Sequence, residues 1–202
     1  MAKIFSVLGK ESAARAFDPL ARRLVRAGVS PDAVTLVGTA GVLAGAFLAT
    51  QGWLVAAVIV VTTSALTDVV DGSMARMRGT PSRFGALLDS TMDRVADGAA
   101  FGAVAYWLAV TGDRATLAAA LICLVTGQLV SYVKARAEGL GLTANVGLIE
   151  RFERLVILGI GALLTGFGVG WGLPVALWLL AALSVITVAQ RIGHVYRQDR
   201  RT

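Results

Sequence analysis

Asp68-Val69-Val70-Asp71-Gly72-Ser73-Met74-Ala75-Arg76, followed after eight residues by Gly85-Ala86-Leu87-Leu88-Asp89-Ser90-Thr91-Met92-Asp93, is the stretch on which the reading of this chain turns. Its four carboxylates fall at i, i+3 and i, i+4 spacings, and on a helix such residues share a face. Asp68 and Asp71 therefore share a face of one helix, Asp89 and Asp93 a face of the next. Between them Arg78-Gly79-Thr80-Pro81-Ser82 breaks the helix, so the two segments can fold back as a hairpin and the four carboxylates converge. Apolar runs flank the stretch on both sides. That puts the acids near a membrane surface, where unpaired carboxylates are costly. Divalent metal bound through oxygen ligands is the simplest relief.

The bulk numbers agree. Of 202 residues 56% are hydrophobic and only 16% charged, with a mean hydropathy of +0.71. This is the composition of a membrane protein and excludes an ordinary soluble domain. The length suits about six short spans of roughly 20 residues each, plus an N-terminal segment. The expected fold is an all-α integral membrane protein, six transmembrane helices with an N-terminal amphipathic juxtamembrane helix. It forms a single domain over 1–202, with the juxtamembrane segment at 1–31 and the bundle at 32–196. The lone Cys123 lies in an apolar run, cannot form an intramolecular disulfide, and reads as a small core residue. No continuous apolar stretch with a small-residue cleavage site opens the chain, so no cleaved signal peptide is expected.

In chain order, Phe17, Leu20, Ala21 and Leu24 recur at helical spacing, with Arg15, Arg22, Arg23 and Arg26 on other faces. This pattern predicts a basic amphipathic helix on an anionic leaflet, begun by Asp18-Pro19 and ended by Gly28. Ser30-Pro31-Asp32 starts the next helix, and Ala33 to Thr50 is the first span. It carries Gly38, Gly41 and Gly45, the last two at a spacing that permits close helix approach. After the Gln51-Gly52 turn, a second span runs unbroken from Trp53 to near Met77. The third is expected over Phe84–Leu108, with Gly98 and Gly102 as its small residues. The fourth covers Ala115–Ala137, the fifth Leu155–Val169 and the sixth Val175–Val195, with a loop from Gly139 to Gly147.

Charge sets the topology. Of 19 Lys and Arg residues only Arg114 falls at the opposite ends of these spans. The positive-inside rule makes the other face cytoplasmic, with both termini and the Asp stretch on it. Trp53, Trp107 and Trp171 mark the far interface. The pI of about 10.2 then reflects anionic lipid and phosphate substrates, and no nucleic acid is needed.

The spacing Asp68, Asp71, Gly72, Ala75, Arg76, Gly85, Asp89, Asp93 resembles the signature D-x2-D-G-x2-A-R-x8-G-x3-D-x3-D of the CDP-alcohol phosphotransferase family, matched at every fixed position. The resemblance implies a Mg2+ or Mn2+ site of two ions on Asp68, Asp71, Asp89 and Asp93. It implies a CDP-linked donor with its diphosphate on the metals, and Asp93 as the base for an alcohol acceptor that attacks the β-phosphorus and releases CMP. It also implies a homodimer. Gly72, Ala75 and Gly85 share a lack of bulk that leaves room for a flat base or sugar, and Arg76 can donate to phosphate or brace the carboxylates. Pro31, Asp32 and Thr35 resemble the family's motif before the first span and are candidates to seat the nucleotide.

A second constellation bears on the acceptor. Ser131 and Lys134 close the fourth span, Arg151 and Arg154 open the fifth, and Arg191 sits near the end of the sixth. Read functionally, they form a pocket for a second phosphate; read plainly, they are basic flanks that snorkel. Residues 131–138, 149–154 and 190–191 resemble a bacterial branch of the family that joins CDP-diacylglycerol to inositol 1-phosphate, giving phosphatidylinositol phosphate. The implied location is a bacterial-type inner membrane, multi-pass, with the active site cytoplasmic. Glycerol 3-phosphate is the alternative acceptor. Asp97, one turn beyond Asp93, reads as support for the acidic row or as a partner for Arg94, and His194 as an interfacial side chain. Two rivals are a membrane prenyltransferase, which has no need of glycines for a nucleotide, and a divalent-cation transporter, which would place its acids near the midplane.

Overall fold

The computed structural model describes residues 18–77 and 82–200, with the backbone alone at Asp68. Its elements are all helices: α1 (18–26), α2 (Pro31–Thr50), α3 (Leu54–Ala65), α4 (Thr67–Met77), α5 (Arg83–Thr111), α6 (Arg114–Gly139), α7 (Arg151–Gly166) and α8 (Gly172–Asp199). No strand occurs among the described residues.

The helix ends follow local chemistry. Gly28, at φ +80°, closes α1: its N–H donates to Val25 O and that of Val29 to Leu24 O, both at 3.1 Å. This is the left-handed glycine cap, which uses up carbonyls the helix leaves open. Ser30 Oγ accepts from Ala33 N at 3.1 Å with Pro31 as the first helical residue, so α2 starts where the sequence indicates. Ser82 Oγ accepts from Gly85 N at 2.8 Å and opens α5. Asp113 caps α6 by accepting from Thr116 N at 3.0 Å. The Thr116 hydroxyl and amide hold the Asp113 carboxyl below its ordinary value.

The second span is interrupted where the sequence predicts a continuous helix. α3 ends at Ala65, Leu66 is a turn, and α4 resumes at Thr67. Thr67 Oγ1 donates back to Ser64 O at 2.5 Å, and a hydroxyl on that carbonyl competes with the helix's own hydrogen bonding. Among the described residues four stretches are long and apolar enough to cross a membrane: Pro31–Thr50, Leu54–Met77 taken through the break, Arg114–Gly139 and Gly172–Asp199. The other two expected spans fall short of that measure for identifiable reasons. α5 carries Arg83, Asp89, Asp93, Arg94 and Asp97 in its first half. α7 has 16 residues, about 24 Å against a hydrocarbon core of about 30 Å.

The described residues fall into two compact units, 18–45 with 59–77 and 82–96, and 46–58 with 97–200. In the first unit Ala21, Val70 and Met74 are buried, ringed by Leu24, Val25, Val29 and Val34. Thus α1 packs its Ala21 side on α4, while Leu20 stays exposed. Phe17 and Arg15 lie outside the described residues. Close approach in this unit is seen at Gly38 and Gly41. A Cβ on Gly38 would collide with Thr67 Oγ1, and one on Gly41 with Ser64 Oγ. In the second unit α8 packs along α6 and α7, around a core that includes Phe101, Cys123, Leu173, Leu177 and Leu180. A Cβ on Gly98 would meet Gln128 at 3.7 Å, while Gly102 faces nothing within 4 Å. Exposed Phe47, Ile59, Val110, Val125 and Phe167 leave apolar side chains on helix surfaces, as a bilayer requires.

Candidate active site

In the first unit α4 carries Asp68, Asp71, Gly72, Ala75 and Arg76, and the start of α5 carries Gly85, Asp89 and Asp93. Asp71 is 7% exposed, and its Oδ2 accepts a 2.6 Å hydrogen bond from Thr35 Oγ1 on α2. Thr35 Oγ1 also lies 3.3 Å from Pro31 O. A hydroxyl has one proton, and the shorter, charge-assisted bond to the carboxylate takes it. So Thr35, expected near the nucleotide, holds one of the acids.

Asp32 stands beside Gly85. A Cβ there would lie 3.1 Å from Asp32 Oδ1 and 2.9 Å from Ser82 Oγ. At Gly85, then, the lack of bulk admits a carboxylate and a hydroxyl from the protein itself, in place of the open room the sequence suggests. At Gly72 the added atom would meet only Arg76 Nη1, at 3.6 Å, so room remains there. Ala75 is half-buried. The exposed Arg76 donates through Nη2 to Ser73 Oγ at 2.9 Å. Asp89 is exposed and Asp93 half-buried, with Arg94 Nη2 3.7 Å from Asp93 Oδ2, an ion pair too long for a hydrogen bond.

Among the described residues no three Asp, Glu, His or Cys side chains gather as a metal-binding cluster, and the Asp68 side chain lies outside them. The donor chemistry nevertheless suits one class of ion. The row offers carboxylate oxygens alone, with no thiolate or imidazole, which matches Mg2+ or Mn2+.

The second unit holds the other candidates. Arg154 is 1% exposed. Its Nη2 donates to Asp97 Oδ2 at 2.6 Å and its Nη1 to Gly127 O at 3.0 Å. Arg151 Nε donates to the other Asp97 oxygen at 2.9 Å. Asp97 thus joins two arginines of α7 through its two oxygens, and is not the partner of Arg94. Arg191, also buried, donates through Nε to Val146 O at 2.9 Å and through Nη1 to Val130 O at 2.6 Å. Ser131 Oγ reaches Gly127 O at 3.5 Å. Lys134 is half-buried.

Several participants gave no signal in the sequence. Gly127 lets the Arg154 guanidinium lie on backbone: a Cβ would sit 3.1 Å from Nη1. Thr187 Oγ1 accepts from Leu148 N at 3.2 Å and Ile149 N at 3.3 Å. Gln198 bonds both backbone groups of Thr143. Together with Arg191, α8 secures the loop that leads into α7. Contacts between elements far apart in sequence leave no periodic trace.

Residues 28–190 match the CDP-alcohol phosphatidyltransferase family. The chain is 50% identical over 192 residues to a phosphatidylinositol phosphate synthase of Mycobacteroides abscessus, covering 94% of this chain and 87% of that one. It is 49% identical over 194 residues to the enzyme of that name from Streptomyces avermitilis, covering 92% and 80%. The crystal structure of Mycobacterium tuberculosis phosphatidylinositol phosphate synthase with CDP-DAG bound is similar at a TM-score of 0.87 and 48% identity, over 90% of this chain and 94% of that one. A second crystal structure of that protein, in complex with manganese and citrate, gives 0.85 at 48%, over 88% of each chain.

Proposed function

Since this chain belongs to the CDP-alcohol phosphatidyltransferase family, we propose that it transfers the phosphatidyl group of CDP-diacylglycerol to the hydroxyl of inositol 1-phosphate, giving phosphatidylinositol phosphate and CMP. The observation that carries this reading is the complete acidic row on α4 and α5. Its Asp71 is buried and held as a carboxylate acceptor by Thr35, in a chain about half identical to enzymes of that name along most of its length.

Asp68, Asp71, Asp89 and Asp93 are the ligands for two ions of Mg2+ or Mn2+. Bound metal would supply charge on the donor's diphosphate oxygens and so stabilise the departing phosphate. Arg76 donates to phosphate, Gly72 and Ala75 leave space for the nucleotide, and Pro31, Asp32, Thr35 and Gly85 shape that space from α2 and the start of α5. Asp93, last in the row, takes the proton of the acceptor hydroxyl. The freed oxygen bonds to the β-phosphorus, the bridge to the α-phosphate breaks, and CMP leaves with the bridging oxygen. Ser131, Lys134, Arg151, Arg154 and Arg191 serve the phosphate of the acceptor. A phosphate of about −2 charge calls for several cations, whereas free inositol or serine does not.

The same reading includes six spans in one domain, with the shorter α7 and the acidic start of α5 shielded by neighbouring protein or by the interface. It includes an amphipathic N-terminal helix on the leaflet, a homodimer, and a plasma membrane location with both termini cytoplasmic. The test is CMP release by purified protein given CDP-diacylglycerol, Mg2+ or Mn2+, and a panel of acceptors. Inositol 1-phosphate should be used best. Preference for glycerol 3-phosphate would reassign the acceptor. Equal use of free inositol would remove the phosphate pocket, and metal flux into sealed liposomes without CMP would favour a transporter.

A further inference from the structure

Among the described residues of the second unit Arg154, Arg191 and Asp97 are buried. Asp97 sits with both oxygens engaged, Oδ1 by Arg151 Nε at 2.9 Å and Oδ2 by Arg154 Nη2 at 2.6 Å. The two arginines are three apart at the start of α7, so they project from one face of it. Arg154 is further fixed by Gly127 O. Arg151 differs in one respect: its side chain is 26% exposed, while Arg154 is enclosed. A carboxylate that merely neutralised one arginine would need a single partner. Here one buried carboxylate orients two, one enclosed and one reaching outward. Holding long side chains in place before a ligand arrives removes part of the ordering cost of binding.

We propose that Asp97 is a positioning residue for acceptor specificity: it presets Arg151 and Arg154 as a paired anion receptor for the acceptor's phosphate, without touching substrate or metal itself. This inference rests on the reading of Arg151 and Arg154 as acceptor residues. Asp97→Asn retains the shape but loses the charge, and its amide NH2 turns a donor toward one of the two guanidiniums. The acceptor KM should rise roughly tenfold or more, as for loss of a hydrogen bond between charged partners. The KM for CDP-diacylglycerol and the kcat at saturating acceptor should stay within about twofold, because only uniform acceptor binding is lost.

The experiment measures both KM values and kcat for Asp97→Asn, Arg151→Ala, Arg154→Ala and the double variant Asp97→Asn/Arg151→Ala, with detergent melting curves for each. The double variant should raise the acceptor KM by less than the product of the two single effects, since part of what Asp97 does runs through Arg151. If the arginine variants raise the acceptor KM and Asp97→Asn does not, or if the double variant is additive, the positioning role is overturned while the acceptor pocket stands. If the arginine variants leave the acceptor KM unchanged, the pocket reading itself fails. Should Asp97→Asn not fold, Asp97→Glu keeps the charge on a longer stem. A Glu variant that folds with unchanged acceptor KM overturns the proposal, and one with a selectively raised acceptor KM supports it.

Discussion

Thr35 and Asp93 show how much one side chain in this motif has to do. The 2.6 Å bond from Thr35 to buried Asp71 holds a carboxylate oxygen in one orientation. Thr35→Val keeps the shape and removes the donor, and should weaken metal-dependent donor binding roughly tenfold, the scale of a hydrogen bond to a charged group. Thr35→Ser should restore most of it. Activity titrated with Mn2+ at several CDP-diacylglycerol concentrations checks this, and equal values for the Val and Ser variants would detach the hydroxyl from the site. Asp93 is the proposed base. Asp93→Asn should retain the fold while turnover falls roughly 10²-fold or more, the usual size of a lost general base. Asp71→Ala should act first on metal and donor affinity. Single-turnover rates at saturating metal separate the two, and near-normal chemistry in Asp93→Asn would move the base elsewhere.

At the scale of elements, glycine contacts fix how α2 meets the α3–α4 break. Gly41 has only Ser64 against it, and Gly38 has Thr67 and the Ser64 carbonyl. Gly41→Ala places a methyl on the Ser64 hydroxyl and should cost about 1–3 kcal/mol by overpacking. Ser64→Gly in the same chain opens that space, so the double variant should be more stable than the sum of the single effects predicts. Melting temperatures of the four proteins in one detergent give the cycle, and simple additivity would mean that the helices part easily here. At the break Thr67 bonds back to Ser64 O. The break leaves α4 with 11 residues.

For the molecule as a whole, the distribution of basic residues predicts an orientation. Arg83, at the start of α5, and Arg114, at the start of α6, should lie on opposite sides of the membrane. Cys123 is buried, so Cys123→Ala gives a clean background for single reporters. In intact cells an impermeant maleimide should label Arg114→Cys and spare Arg83→Cys and Arg200→Cys, all three reacting once the membrane is opened. Labelling of Arg83→Cys in intact cells would invert the topology. Labelling of both Arg83→Cys and Arg114→Cys would change the span count between them.

The sequence determined the helical membrane class, the helix start at Pro31, and the shared helix faces of the acidic row. Each rests on information local in the chain: apolar run length, capping residues and i, i+3 or i, i+4 spacing. It also determined the family, because eight fixed residues between Asp68 and Asp93 are a linear pattern. Only the tertiary structure decided that Thr35 holds Asp71 across 36 positions, that Gly85 makes room for Asp32, and that Asp97 joins Arg151 and Arg154. From sequence alone Asp97 read as support for the acidic row or as a partner for Arg94. A buried carboxylate instead takes the donors that packing brings to it, since leaving a guanidinium such as Arg154 enclosed without a counter-charge would cost more than any local pair returns. Such pairings depend on which helix faces meet, and no spacing within one helix encodes that.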